Sequence, residues 1–463
     1  MSDPQKTAPL TPEVAFGELP VRQAVFAQIG PSVVSSLIML VYSLADTYFV
    51  GQLDDPDQLA AITVVYPSVL LMQALAALFG AGGASMVSRC LGRGERGRAE
   101  NIAAFCAVAS LLVGGCFTLV TLLAARPMLR LFGADAAVMP HAVRYARWVM
   151  IAGAMPTVYS LAMAPLLRAA GLAKKASFGI AAGGILNMIL DPFFCFDFGL
   201  GLGVEGAAMA TALSNLFTAL YFTRLVLRGE GGGLLSFSPT RARAGAEQIR
   251  DVLAVGTPSA LQTGLTMVAV TAMNLFVAPY GGQAVAALGI VKKIDSLPLQ
   301  IAIGIAQGVL PLLAFNHGAK RHDRVNAATR LAGTLSCGFA LCCVTCYELT
   351  APFLVGLFID DAQTVAYGAV FLRLMCLAMP LMALGYLMIV RFQAMRRSRE
   401  ATILSILRKG SIDIPLLFLM TRLFGVYGAM MVQPIVDLIA LITAFALNKR
   451  VERELAAEGD VSV

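Results

Sequence analysis

The sequence predicts an all-α polytopic membrane protein whose twelve transmembrane helices form two six-helix halves. Three observations predict this fold class: an extreme apolar composition, a series of apolar segments of membrane-spanning length, and an internal repeat. Of the 463 residues, 58% are apolar and only 14% are charged. Soluble domains are about 45–50% apolar and about 25% charged. A soluble chain of this length would form two or three domains, and this one lacks the charge to cover their surfaces.

Apolar segments of about 20 residues, long enough to cross the hydrocarbon core, recur along the whole chain. Polar residues and Gly/Pro clusters separate them. The second, fourth, eighth and tenth are longer than the membrane is thick, so we expect them to tilt, kink or project beyond it. The twelve predicted spans are 22–46, 58–88, 100–125, 138–168, 174–196, 203–228, 250–279, 284–315, 323–350, 363–392, 400–422 and 425–448.

Basic residues are concentrated in every second loop. The even-numbered loops carry groups such as Arg89 and Arg93, whereas the odd-numbered loops have few and the first is acidic, with Asp54, Asp55 and Asp57. The positive-inside rule therefore predicts a multi-pass protein of the cell membrane with both termini cytoplasmic. An even number of spans requires both ends to lie on one side, so the count and the charges agree.

The remaining composition excludes several other classes. The net charge is +7, but the basic residues form no single patch, so we expect no nucleic-acid partner. The nine cysteines lie mostly in apolar segments and show no disulfide framework. The three histidines, His141, His317 and His322, are too scattered for a metal or catalytic set, so we expect no metal site and no cofactor. The first twenty residues lack an apolar core, and we expect no cleavable signal peptide.

The second half of the chain repeats the first in a common order. The offset drifts from 227 to 222 residues along the sequence, as small loop deletions would produce. The matches pair Gly30, Pro31 and Ser32 with Gly256, Pro258 and Ser259; Ala154, Met155 and Pro156 with Ala378, Met379 and Pro380; and Asp191, Gly203 and Gly206 with Asp413, Gly425 and Gly428.

This repeat predicts the domain organisation. We expect an N-terminal six-helix half over 1–228, a cytoplasmic linker over 229–249, a C-terminal half over 250–448 and a cytoplasmic tail over 449–463. An even number of spans per half gives both halves the same orientation, so a pseudo-two-fold axis should lie along the membrane normal. Such halves usually flank a central cavity and rock against each other, which predicts transport. A monomer is sufficient for this, because one chain holds both halves.

Ionisable residues within the spans are functional candidates, because a charge near the bilayer centre costs about 2.5–3.5 kcal/mol. Asp46 follows Tyr42 by one helical turn, and Asp191 follows Asn187 by the same spacing. If the first and fifth spans adjoin, these side chains form a cluster of oxygen acceptors. Two carboxylates in such a site rarely both stay ionised, so one holds a proton, and a hard monovalent cation suits the same oxygens. This chemistry is typical of an ion-coupled exchanger.

Each acid also has a structural interpretation. Asp46 could end its helix at the membrane interface, and Asp191 could form a cap or turn before Pro192. In the C-terminal half, Lys292, Lys293 and Asp295 either neutralise one another at an interface or line the cavity. Arg408 and Lys409 are expected at the cytoplasmic edge of their bundle. Asp413 is a further candidate, because it is the repeat mate of Asp191.

Four segments of the sequence resemble the multidrug and toxic compound extrusion (MATE) family. They are Ser43–Gly51, Gly82–Gly92, Leu186–Pro192 and Gly203–Thr211. The resemblance covers the whole chain, including the spans and the repeat. It implies a secondary exporter that expels cationic or amphipathic compounds in exchange for protons or sodium.

The resemblance also implies a coupling site in the N-terminal half, as in the archaeal and DinF-like branches of that family. Its residues would be Asp46, Tyr42, Asn187, Asp191 and Thr211. The NorM-like branch instead places acids in the seventh and tenth helices. Here the tenth span has no acid, and within the membrane the seventh offers only amides, Gln262 and Asn274. Proton coupling through the N-terminal half is therefore expected, with sodium at the same cluster as the alternative.

Two other functions are weighed against export. A flippase for a lipid-linked glycan or lipid precursor would need several arginines in its cavity to bind a pyrophosphate, and the N-terminal spans hold few. A polytopic membrane enzyme would need a nucleophile–base or metal set at one membrane face, and the scattered histidines do not provide one. Export remains the expected function. Its expected partners are small cationic or amphipathic molecules and the surrounding membrane lipids.

Overall fold

The computed structural model describes residues 11–52, 56–238 and 244–457. All regular structure in these ranges is helical, with fourteen α-helices and short π or 3-10 turns between some of them. The acidic-loop positions 53–55 and the linker positions 239–243 lie outside the described residues. The helices are α1 (Val21–Gly51), α2 (Pro56–Gly92), α3 (Arg96–Leu131), α4 (Met139–Ala146), α5 (Ala154–Ala169), α6 (Ala173–Cys195), α7 (Val204–Leu227), α8 (Ala246–Val277), α9 (Gly282–Gly318), α10 (His322–Gly356), α11 (Ala362–Cys376), α12 (Met379–Ala394), α13 (Ser398–Ile406) and α14 (Asp413–Ala457).

The helices supply twelve membrane crossings. Within the described residues, nine continuous helical segments are long and apolar enough to span a membrane, and two bent pairs raise the number to eleven. The last of the nine, Ser398–Leu455, is broken at Gly425, whose φ of 62° and ψ of −147° are not helical. It therefore crosses twice, which gives twelve. The predicted fold class is confirmed.

The two bent pairs are the predicted fourth and tenth spans. Met139–Ala152 meets Ala154–Ala169 at 48°, and Ala362–Cys376 meets Met379–Ala394 at 43°. Pro156 and Pro380, which are repeat mates, lie in the first turn after each bend. A proline has no N–H to donate to the preceding turn, so a bend immediately before it costs little. The expected kinks in these two long spans are thus observed at equivalent places.

The two halves meet along α1, α2, α8 and α9. Extensive contacts join α1 to α9, and α2 to both α8 and α9. The N-terminal half is α1–α7 and the C-terminal half is α8–α14. One apolar core fills the N-terminal half and continues across the interface into α8, α9, α10 and α12, and a second core lies within the C-terminal half. Large apolar side chains such as Leu123, Leu131 and Leu349 remain more than three-quarters exposed. A membrane covers such surfaces, so the exposure agrees with the predicted spans.

A segment before α1 crosses from one half to the other. Val14–Glu18 forms a π-helical turn, and Phe16 is fully buried against Phe315 of α9, with ring centroids 5.7 Å apart. Asn316 Nδ2 and Arg324 donate hydrogen bonds to the Phe16 carbonyl at 3.0 and 3.1 Å. The N-terminal segment is therefore anchored on the C-terminal half near the ends of α9 and α10.

Candidate functional site

Helices α1 and α6 adjoin, so the first and fifth spans meet as the proposed cluster requires. Ser35 Oγ of α1 donates to Ser177 Oγ of α6 at 3.4 Å. Two turns further along, a Cβ on Gly184 would lie 3.7 Å from the Cβ of Tyr42, so the helices are in close contact there. Asp46 lies within α1, and Asp191 lies inside α6, which continues through Pro192. Neither acid ends or caps its helix.

Asp191 is at the centre of a buried polar group. Its side chain is fully buried, and its Oδ1 accepts a hydrogen bond from Asn187 Nδ2 at 3.3 Å. The same amide donates to Thr211 Oγ1 of α7 at 3.4 Å, so three of the predicted residues are in direct contact. Two buried acceptors have no hydrogen-bond partner among the described residues: Asp191 Oδ2 and Asn187 Oδ1.

Asp46 and Tyr42 complete this group from α1. Asp46 is the charged neighbour of Asp191, and both acids lie near the Tyr42 hydroxyl. Within the described residues neither carboxylate forms an ion pair with a lysine, arginine or histidine. We call Tyr42, Asp46, Asn187, Asp191 and Thr211 the N-terminal acidic cluster. It contains two acids and no basic group.

Tyr145 is a further neighbour of the cluster that sequence reasoning missed. It lies on α4, and Asp46, Tyr42 and Asp191 are its electrostatic neighbours. Helix α4 is only eight residues long and amphipathic, and it precedes the bend in the fourth span. The available signal was a tyrosine near the start of the predicted fourth span. Its position in the sequence gave no indication that it would lie close to α1 or α6.

A cavity of about 430 Å³ lies at the end of the N-terminal bundle next to the cluster. Cys195, one turn after Asp191, lines it, so the cavity approaches the cluster along α6. Its walls are polar, with amide, imidazole and charged side chains from the residue after α1, from α2, α4 and α7, and from the loop between α6 and α7. The main polar lining residues are Gln52, Gln58, His141, Arg144, Asp197 and Glu205.

The secondary candidates in the C-terminal half lie in a second polar region. Lys292 Nζ of α9 donates to Asn274 Oδ1 of α8 at 3.0 Å. Asp295 has Lys409 and Asp437 as charged neighbours, whereas Lys293 is exposed. These contacts do not make Lys292, Lys293 and Asp295 a self-contained ion group. Gln262 of α8 is half-buried, and its Nε2 has no hydrogen-bond partner among the described residues.

Arg408 and Lys409 do not lie at the cytoplasmic edge of their bundle, so that expectation is wrong. Arg408 is only 1% exposed, and its Nε donates to Asp437 Oδ1 at 2.8 Å inside the bundle. Lys409 Nζ donates to Gln433 Oε1 at 2.7 Å, and Asp413 is buried close to both basic residues. The two charges can be buried here because Asp413 and Asp437 of α14 compensate them.

Asp437 was missed as a membrane-embedded acid. It is 1% exposed and accepts from both Arg408 and Gln433. Its signal in the sequence was a single carboxylate within the last apolar segment.

Nowhere in the described ranges does a group of three or more His, Cys, Asp or Glu side chains lie so that it could hold a metal ion. All nine cysteines are free thiols.

Sequence comparisons relate this chain to known families. A family model described as MatE matches residues 31–193 and 258–419. The multidrug export protein MepA of Staphylococcus saprophyticus is 30% identical over 424 residues, which cover 91% of this chain and 92% of that protein. The protein of the same name from Staphylococcus aureus is 28% identical over 439 residues, covering 94% and 96%.

Solved structures agree with these relatives. A structure described as an outward-facing conformation of a multidrug resistance MATE family transporter superimposes with a TM-score of 0.90 at 25% identity, covering 97% of this chain and 99% of that one. A crystal structure of MATE in complex with MaL6 also gives a TM-score of 0.90 at 25% identity, covering 96% and 99%. The similarity extends over both halves.

Proposed function

This chain belongs to the MATE family, and from that membership we propose that it is a secondary active multidrug exporter that exchanges cationic or amphipathic compounds for protons. The relatives named above are multidrug export proteins, and their similarity covers almost the whole chain. The exchange site in this proposal is the N-terminal acidic cluster. Sodium is the alternative ion at the same oxygens.

The observation that carries the proposal is the pair of unpartnered buried oxygens in the cluster. A buried acceptor without a hydrogen bond costs about 1–3 kcal/mol, so native proteins rarely leave one empty. A proton on Asp191 Oδ2 would remove a charge from a site that has no basic residue. A monovalent cation would satisfy Asp191 Oδ2 and Asn187 Oδ1 together. Either ion supplies the positive charge that the chain itself does not provide there.

The proposed cycle couples this ion to the drug through the movement of the two halves. A cationic drug bound between the two halves would be held by apolar side chains and by a carboxylate of the cluster. When an external proton reaches Asp46 or Asp191, that attraction is lost and the drug leaves. The protonated protein then favours the other of its two conformations. A ligand shifts a conformational equilibrium by the difference between its affinities for the two states.

The positions of the charged loops and of the cavity support the direction of this exchange. Arg89 and Arg93 lie where α2 and α3 meet, on the side predicted to be cytoplasmic. The cavity lined by Gln52 and Cys195 lies at the other end of the N-terminal bundle. It would give external ions access to the cluster along α6.

The test is ethidium efflux from proteoliposomes, driven first by a proton gradient and then by a sodium gradient. We expect Asp46→Asn and Asp191→Asn to abolish proton-driven export, because neither amide can exchange a proton. Asp360→Asn, which changes an exposed acid in a loop, is the matched control and should export at the native rate. Native-rate export by both cluster variants would refute the site. An absence of export under either gradient would favour the lipid-precursor alternative instead.

A further inference from the structure

The C-terminal half contains a structural counterpart of the N-terminal acidic cluster. At the 222-residue offset that pairs Asp191 with Asp413, Asn187 is matched by Lys409, Thr211 by Gln433 and Asn215 by Asp437. The backbone supports this register, because Gly203 and Gly425 share an unusual conformation, with φ of 57° and 62° and ψ of −135° and −147°.

The same contact is made in both halves with different chemistry. In the N-terminal half, Asn187 Nδ2 donates to Thr211 Oγ1 at 3.4 Å. In the C-terminal half, Lys409 Nζ donates to Gln433 Oε1 at 2.7 Å. A neutral amide on one side is thus replaced by a primary ammonium group on the other.

The two clusters also differ in how far their oxygens are satisfied. In the N-terminal acidic cluster, Asp191 Oδ2 and Asn187 Oδ1 have no partner. We call the counterpart, with its acids and basic groups, the C-terminal cluster; it comprises Lys292, Asp295, Arg408, Lys409, Asp413, Gln433 and Asp437. In this cluster Gln433 Oε1 accepts from Lys409, and the two oxygens of Asp437 accept from Arg408 and Gln433. The oxygens of Gln433 and Asp437 therefore already have donors.

The charges of the C-terminal cluster balance without a bound ion. Its acids are Asp295 of α9 and Asp413 and Asp437 of α14. Its basic groups are Lys292 of α9, which donates to Asn274 of α8, and Arg408 and Lys409, which precede α14. Three acids therefore lie with three basic groups, whereas the N-terminal acidic cluster has two acids and no basic group.

Arg408 also contacts an aromatic ring. Tyr386 of α12 stacks on it, with the ring centroid 4.4 Å from the guanidinium carbon.

We propose that Lys409 is a tethered cation that permanently occupies the C-terminal counterpart of the ion site. This inference rests on the proposed exchange at the N-terminal acidic cluster. The ammonium group fills the position that an exchangeable monovalent ion fills in the other half. Lys409 is therefore the residue that restricts exchange to one half of the molecule and sets the number of ions per transported compound.

The test compares the ion-to-substrate ratio of three proteins in proteoliposomes. The ratio is read from the proton gradient at which net ethidium flux stops for a known ethidium gradient. Lys409→Asn, which restores the residue type of the N-terminal half, should raise the ratio by one ion. Lys409→Arg keeps the charge and should give the native ratio. An unchanged ratio in Lys409→Asn, with transport still coupled, would overturn the proposal.

A second measurement leaves Lys409 intact, so it does not depend on that variant folding. Detergent-solubilised native protein should release protons when ethidium binds, and the double variant Asp46→Asn with Asp191→Asn should release none because the C-terminal cluster holds no exchangeable ion. Proton release that persists in the double variant would contradict the tethered-cation role. If the native protein itself shows no coupled ion, the proposed exchange fails, and this result is distinct from either outcome for Lys409.

Discussion

The ion pair between Arg408 and Asp437 is the most buried of those formed by the described residues, with side chains 1% and 0% exposed. Arg408 has only one hydrogen bond to this acid, through Nε, and its Nη1 and Nη2 have no hydrogen-bond partner in the described part of the chain. The guanidinium plane lies instead over the Tyr386 ring. Its charge is therefore compensated mainly by Asp437 and by the face of an aromatic ring.

We predict that breaking this pair is costly and that removing both charges is not. Arg408→Met or Asp437→Leu alone leaves an uncompensated buried charge, which typically costs about 3–5 kcal/mol. The double variant removes both charges and should recover most of that loss. Thermal unfolding of the purified protein in detergent measures all three. A double variant less stable than either single one would contradict this prediction, because the two charges would then contribute independently and would not compensate each other.

At the residue level, the sequence indicated charges but not their partners. Asp46 and Asp191 could be selected as candidate site residues because acids are rare in apolar segments and each follows a polar residue by one turn. Asn187, Asp191 and Thr211 are in contact as the resemblance implied. The position of Arg408 was not predictable, because its partner Asp437 is 29 residues away and only the packing of α14 brings them together.

Helix breaks at equivalent positions are the main feature at the scale of elements. Gly203 separates α6 from α7, and Gly425 interrupts α14, both with positive φ. A Cβ on Gly425 would meet nothing closer than 3.7 Å, at the Tyr280 ring, so its surroundings leave space for a side chain. The requirement for glycine there comes from the backbone conformation alone, which only glycine adopts readily.

We predict that Gly425→Ala destabilises the protein by about 1–3 kcal/mol, because alanine is strained at this φ and ψ. Gly338→Ala is the matched control, since that glycine lies within α10 and no atom lies within 4 Å of the position of a new Cβ. The control should be neutral or stabilised by up to about 1 kcal/mol, as alanine favours a helix over glycine. Thermal unfolding in detergent compares the two. If Gly425→Ala is as stable as the control, the break is imposed by neighbouring contacts.

The spans were largely predictable because hydrophobicity alone limits their length. The predicted 174–196 and 203–228 agree within one residue with Ala173–Cys195 and Val204–Leu227. The π-helical turns were not predicted, nor was the segment Val14–Glu18 with its buried Phe16. That segment is stabilised by Asn316 and Arg324, about 300 residues away, and a local pattern does not record such a contact.

At the scale of the whole molecule, helices of the two halves approach each other closely at glycines, where no side chain separates their backbones. A Cβ on Gly82 of α2 would lie 2.2 Å from the Val252 carbonyl oxygen of α8. A Cβ on Gly256 of α8 would lie 2.0 Å from the Leu78 carbonyl oxygen of α2. Neither distance is physically possible, so glycine at both positions is what permits this approach. The contact lies toward the basic loops and so, by our topology, on the cytoplasmic side.

We therefore predict that Gly256→Ala prevents the halves from closing on the cytoplasmic side. Export should fall because one of the two alternating states becomes inaccessible. A suitable reporter is Ser85→Cys in a background without other cysteines, since Ser85 is fully buried and its Oγ donates to the Gln393 carbonyl across the interface at 2.8 Å. Its labelling by a water-soluble maleimide should be several-fold faster in the Gly256→Ala protein.

Gly264→Ala is the control for this prediction, because it lies on the same helix and no atom lies within 4 Å of its added Cβ. It changes helix propensity in the same way but leaves the interface intact, so reporter labelling and export should match those of the native protein. If Gly256→Ala exports ethidium at the native rate, closure of this interface is not part of the transport cycle. If labelling rises equally in both variants, the effect comes from α8 itself and not from separation of the halves.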